Sequence, residues 1–133
     1  LICLADDSGL EIDLLNGMPG IYSSRWGGTK KNFNKAIEKV FREMSKAKKN
    51  RPDSNSARFI CCLTIAWPNN TSFSARGVIE GSISGKKKGN NGFGYDPIFI
   101  PKGYNKTFGQ LSAKVKNSID HRFKAFTKIK KFF

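Results

Sequence analysis

Acidic residues are scarce in this chain of 133: ten Asp and Glu stand against 24 Lys and Arg, a formal net charge of +14. Histidine occurs once, as His121. A lone imidazole leaves no Ser-His-Asp or Cys-His arrangement to argue, because nothing orients it toward a nucleophile. Cysteine occurs three times, as Cys3, Cys61 and Cys62. The adjacent pair does not easily bridge to itself, and no C-x-x-C spacing points to zinc. Reduced thiols in a cytoplasmic protein are the expectation. No apolar run is long enough to span a bilayer, and the longest, FICCLTIAW at 59–67, reads as a buried strand. There is no basic leader and no initial Met, so the chain is expected to be a single domain lacking its N-terminal part.

A charge of +14 can mark a nucleic-acid binder or a membrane-surface protein. Here the lysines are dispersed and accompanied by many Asn, Ile and Phe, the bias of an AT-rich genome. The clusters at 46–50, 86–88 and 128–131 read as solvated faces able to steer a polyanionic substrate.

Strands are expected at 2–5 and 10–14, joined by a turn at Asp6-Asp7-Ser8-Gly9, whose residues all suit turns. A helix is expected from Thr29, as N-cap, to Ala47, with Phe33, Ile37, Val40, Phe41 and Met44 on its core face. NRPDSNS at 50–56 reads as a linker, and strands follow at 58–67 and 72–80. The loop at 84–97 holds four glycines and is too long for a plain connection. A short strand IFI precedes two C-terminal helical pieces, capped by Ser112 and by Ser118 or Asp120. Phe123, Phe126, Ile129 or Lys130, and Phe133 form the apolar stripe of the second piece. There is no internal repeat, and the pattern is α/β.

Four stretches concentrate chemistry: ADDSG, GNNGFGYDP, SAKVK and NSIDHR. Adjacent carboxylates repel, so Asp6 and Asp7 mark either a polar turn or a site where a cation sits. GNNGFGYD has the glycines of a phosphate-cradling loop but matches neither G-x-G-x-x-G nor the P-loop. It reads either as a flexible hairpin tip or as a platform whose aromatics stack on a base. His121 and Arg122 follow a possible N-cap, where donors gather and anions are favoured. Lys116 and Arg122 suit carbonyl oxygens or phosphates, although a lone histidine is more often structural.

Taken together and in this order, the stretches resemble the inosine triphosphate pyrophosphatase family, also called XTP/dITP diphosphatases. ADDSGLEIDLLNGMPGIYSSRWGG matches its signature, GNNGFGYDPIF its nucleotide loop, and SIDHR its S-H-R motif, from Ala5 to about Phe126. The resemblance implies an elongated, mixed, twisted sheet flanked by helices with a central nucleotide cleft. It also implies Mg²⁺-dependent hydrolysis of ITP, dITP and XTP to the monophosphate and pyrophosphate, by a cytoplasmic homodimer that cleanses the nucleotide pool. Asp7 would be general base and metal ligand, with Asp6 assisting beside the metal. Mg²⁺ commonly bridges one or two carboxylates to substrate phosphates. Ser8 would contact substrate. Phe93, Gly94, Tyr95 and Asp96 would wall the base pocket, and Lys116, His121 and Arg122 would contact the nucleotide. Donors at the 6-oxo group would favour inosine over adenosine.

Two departures stand out. The family's upstream phosphate-binding turn and metal-binding glutamate are not in this chain, and Lys114 and Val115 replace a frequent acidic pair. Lys116→Ala is expected to weaken nucleotide binding without unfolding the domain. The rival readings are a basic nucleic-acid-binding module and an inactive remnant of the family. Neither a membrane nor a specific nucleic acid is an expected partner.

Overall fold

The structure is a computed structural model that describes residues 1–49 and 54–132. The first part of the expected linker at 50–56, and Phe133 in the expected C-terminal stripe, lie outside the described residues. Strands β1 (Cys3–Ile12), β2 (Ser56–Ala66), β3 (Ser72–Ile83) and β4 (Phe99–Pro101) form one sheet in the order β1-β2-β3-β4. The helices are α1 (Phe33–Ala47), α2 (Ala113–Ile119) and α3 (His121–Ile129). The expected α/β domain is present, and its strands pair antiparallel throughout the described residues.

Period two is clearest in β2, where Ala57, Phe59, Cys61, Leu63 and Ile65 are buried and the residues between them are not. The buried face of the sheet carries two apolar clusters. Leu10, Ile12, Phe59, Ile79, Phe99 and Phe108 pack with Ile37, Val40 and Met44 of α1, as the helical stripe predicts. Cys61, Leu63, Ile65 and Ala75 pack with Ala125 and Ile129 of α3. No helix among the described residues is long and apolar enough to cross a membrane.

Three sequence expectations are corrected. The turn at Asp6-Asp7-Ser8-Gly9 does not form, because β1 runs through it: Asp6 pairs with Leu63, Asp7 with Cys62 and Ser8 with Cys61. A complete ladder with β2 outweighs the turn preference of these residues. The strand stops at Ile12, and Asp13–Leu15 curls into a single helical turn closed by Asn16 in the left-handed region at φ 56°. Helix α1 starts later than expected, capped by the Asn32 side chain, which accepts from the Asn34 and Lys35 amides at 3.1 and 3.4 Å. Lys31 at φ 49° prevents any extension back to Thr29.

The third correction concerns α3. Its buried residues are His121, Ala125 and Ile129, while Phe123 and Phe126 face outward. The cause lies across the interface in β3, at Gly77. A Cβ there would run into the His121 carbonyl and the Ala125 amide, so the helix backbone lies directly on the strand. Only a small residue such as Ala125 fits at that crossing. The caps are as expected: Ser112 accepts from the Val115 amide at 3.2 Å, and Asp120 accepts from the Phe123 amide at 2.7 Å.

Gly77→Ala is expected to lower stability by about 1–3 kcal/mol, because backbone rather than a flexible side chain must yield. A urea melt checks this, and an unchanged midpoint would contradict the close approach.

Candidate functional site

Successive side chains of a strand point to opposite faces, so the continuity of β1 separates its two carboxylates. Asp6 shares the covered face with Ser8, Cys61 and Leu63. Its Oδ2 accepts from Arg122 Nε at 2.6 Å, and its Oδ1 from Ser8 Oγ at 2.8 Å and Cys61 Sγ at 3.5 Å. Arg122 Nη2 also donates to Ser8 Oγ at 3.3 Å. Burial pushes the Asp6 carboxyl up, but the hydrogen bonds from Arg122 and Ser8 and the guanidinium charge outweigh it and hold the group below its ordinary value. Burial pushes the Cys61 thiol up to about 11, which keeps it a protonated donor.

Asp7 faces the other way. It lines a cavity of about 140 Å³ with Ser8, Gly20, Ile21, Cys62 and Arg76. Asp7, Cys62 and Arg76 are aligned across three strands by the register. The Asp7 carboxylate makes no hydrogen bond or ion pair among the described residues.

The glycine-rich loop closes onto α2 and α3. Asp96 Oδ2 accepts from the Phe93 amide at 2.9 Å and from Lys116 Nζ at 2.6 Å. Both partners of this ion pair are buried, and burial raises the Asp96 carboxyl against the pull of the ammonium. Gly92 is required here: at φ 72° it favours glycine, and a Cβ would strike the Asp96 carboxylate. The Lys116 ammonium lies 4.6 Å from the centre of the Phe93 ring, and Arg122 lies 6.0 Å from it on the same ring. Phe93 itself is 64% exposed. Together with Asp6, Leu63, Phe123 and Phe126, these groups line a cleft of about 460 Å³.

The structure thus brings Asp6, Phe93, Lys116 and Arg122 to one cleft, with Ser8 bonded into its edge. Asp96 lies beneath, holding Lys116. Tyr95 turns inward: its hydroxyl donates to the Ser23 carbonyl at 2.5 Å and its ring packs edge-on against Phe33. Gly94 backs onto the same Phe33. His121 is buried, stacked on Phe59 with ring centres 4.9 Å apart, and its Nδ1 has no hydrogen-bond partner. Burial lowers its pKa to about 4.

Among the described residues no group of three or more His, Cys, Asp and Glu could hold a metal ion. Glu11 also lines the Asp7 cavity but is paired with Arg58; a single unengaged carboxylate still suits Mg²⁺, which takes one or two protein carboxylates and completes its shell with phosphate oxygens and water. Asp7 fits that description, whereas Asp6 is committed to three donors. Sequence reasoning missed Cys61, whose role depends on strand register. It missed Arg76 for the same reason, and it assigned Phe123 and Phe126 to the core.

The family model described as the Ham1 family matches residues 1–132. A dITP/XTP pyrophosphatase of Rhodospirillum centenum is 45% identical over 129 residues, 97% of this chain and 63% of that protein. One of Oceanobacillus iheyensis is 48% identical over 130 residues, 97% of this chain and 64% of that protein. The chain therefore spans a little under two thirds of the length of these relatives. Among solved structures, a HAM1 protein from Coxiella burnetii superposes with a TM-score of 0.91 at 36% identity, covering 99% of this chain and 66% of that one. The Ham1 protein of Staphylococcus aureus does so with a TM-score of 0.88 at 39% identity, covering 98% and 66%.

Two predictions follow the burial of polar groups here. Folded His121 stays neutral down to about pH 4, while in the unfolded chain it takes up a proton near 6.5. The unfolded state binds more protons between those values, so stability falls as the pH drops through that window, by up to about 3 kcal/mol. His121→Phe should remove that share of the pH dependence, read from urea midpoints at neutral and mildly acidic pH. Lys116→Ala, expected from sequence to spare the fold, instead leaves Asp96 buried without its ammonium. A loss of about 3–5 kcal/mol is expected, measured in the same way. A variant as stable as the parent would contradict the buried pair.

Proposed function

Because the chain belongs to the Ham1 family, we propose that it hydrolyses ITP, dITP and XTP to the nucleoside monophosphate and pyrophosphate, with Mg²⁺ held by Asp7. Relatives named dITP/XTP pyrophosphatase support this reading. The observation that carries it is the joining of the two halves of the cleft: the carboxylate strand β1 is bonded through Asp6 and Ser8 to Arg122 of α3, beside Phe93 and Lys116. A cytoplasmic homodimer that removes deaminated purines from the nucleotide pool is the setting the family resemblance implies.

Phe93, exposed beside two cations, offers a face on which a purine stacks. Lys116 and Arg122 bring donors to the edge of that base. A 6-oxo group accepts from them, whereas the 6-amino group of adenine presents a donor and leaves theirs unpaired. On the far side of β1, Asp7 takes a proton from the water that attacks the α-phosphorus. The bond from that phosphorus to the bridging oxygen breaks, and pyrophosphate leaves with the electron pair. Asp7 would hold Mg²⁺, which would supply charge neutralisation on the phosphate oxygens. Ser8, whose hydroxyl lies on the Asp6 face and accepts from Arg122, also borders the Asp7 cavity.

Product analysis on the full chain tests this. ITP with Mg²⁺ is expected to give IMP and pyrophosphate, with little turnover of ATP and none without metal. Asp7→Asn should lower kcat by about 10²–10⁴, the usual range for a lost general base. IDP and orthophosphate as products would overturn the reading, as would full activity in the Asp7→Asn variant.

A further inference from the structure

From the contacts of Asp6 we infer that this residue is not a metal ligand but the positioning residue for Arg122, fixing the fork that distinguishes a 6-oxo from a 6-amino purine. The inference rests on the reading of the site as a purine nucleoside triphosphate site. Neighbouring carboxylates on one strand look like a joint metal site only in the sequence. In the structure they lie on opposite faces of β1, Asp6 toward α3 and Asp7 toward Cys62 and Arg76.

Both oxygens of Asp6 are already engaged. Oδ1 accepts from Ser8 and Cys61, and Oδ2 accepts from Arg122 Nε at 2.6 Å. That leaves one lone pair, on Oδ2, and a cation there would lie beside the Arg122 guanidinium, which repels it. The arrangement suits a different task. Asp6 and Ser8 occupy Nε and Nη2 of Arg122 and leave Nη1 without a hydrogen bond among the described residues. A guanidinium is a rigid plane, so two fixed nitrogens fix the third. Its backbone is set as well, one residue after His121 in the first turn of α3, which Asp120 caps. A fork held in advance loses less conformational freedom when it meets a base, which raises affinity. A fork that cannot swing away also leaves its donor unpaired against a 6-amino group, which raises discrimination.

The test compares the full chain with Asp6→Asn, Arg122→Ala and the double variant. IMP affinity is measured by calorimetry without metal. The Mg²⁺ midpoint and kcat are measured with ITP. Asp6→Asn should weaken IMP binding about tenfold, the scale of one hydrogen bond to a charged group. It should also narrow the preference for ITP over ATP, while the Mg²⁺ midpoint stays within about twofold. In the Arg122→Ala background the same substitution should have little further effect on IMP, because a residue acting through another is not additive with it. A raised Mg²⁺ midpoint with unchanged IMP affinity would make Asp6 a metal ligand and overturn the inference. Full additivity of the two substitutions would overturn it too. If the unsubstituted chain neither binds IMP nor cleaves ITP, the function itself is wrong and the inference falls with it. Asp6 lies on a sheet edge with its side chain 36% exposed, and equal urea midpoints confirm that every variant compared is folded.

Discussion

The pairing of β1 with β2 is the constraint on which the candidate site depends. Ten consecutive residues of β1 are matched to β2, and within that ladder each side chain has only two directions open to it. Asp6 is thereby turned toward α3 and Asp7 toward the opposite face. Two residues with the same chemistry acquire different surroundings. One is paired with Arg122 at the half-exposed edge of the cleft, and the other is left without a partner among the described residues. A shift of the register by one residue would exchange their faces and put Asp7 against Arg122. The ladder is therefore part of the chemistry as well as of the scaffold.

A second constraint is the contact of α3 with β3 at Gly77. Because the helix backbone rests on the strand there, Ala125 and Ile129 suffice to fill the interface. The large side chains Phe123 and Phe126 are released to line the cleft. The same seating buries His121 against Phe59 and carries Arg122 to the strand that bears Asp6. The glycine-rich loop meets them from the other side through the buried Asp96–Lys116 pair. A buried ion pair is weak as a source of stability, but here it fixes two things at once. Asp96 holds the Phe93 amide and the Lys116 ammonium, so ring and cation stay stacked.

The sequence makes legible what is local or periodic. The apolar run of β2, the stripe of α1 and the caps Ser112 and Asp120 all depend on residues within a few positions of one another. The family resemblance adds the residues of the cleft. What was misread depends on distant partners. The turn at Asp6-Asp7-Ser8-Gly9 is locally reasonable and loses to a strand more than 50 residues away. Thr29 is a good cap, but the left-handed Lys31 leaves the role to Asn32. Phe123 and Phe126 have helical spacing, yet a glycine in β3 decides which face of that helix is inside. Cys61 has no local signal for its bond to Asp6, because only the register brings it there.

With ten acidic residues against 24 basic ones, an acidic side chain is seldom far from a cation. Arg58 alone engages Glu11, Asp13 and Glu80. Glu43 pairs with Lys46, Asp96 with Lys116 and Asp6 with Arg122, while Asp120 caps α3. Among the described residues, Asp7 and Glu38 are left without an ion pair or side-chain hydrogen bond. Glu38 stands on the exposed side of α1. Asp7 stands in a cavity, one residue from the carboxylate that holds Arg122. In so basic a chain, a carboxylate that pairs with no lysine or arginine, although Arg76 lines the same cavity, keeps its oxygens open to a cation from outside. The two neighbouring carboxylates thus differ in what they can still accept: Asp6 is held by Arg122, Ser8 and Cys61, whereas Asp7 has no hydrogen bond or ion pair among the described residues.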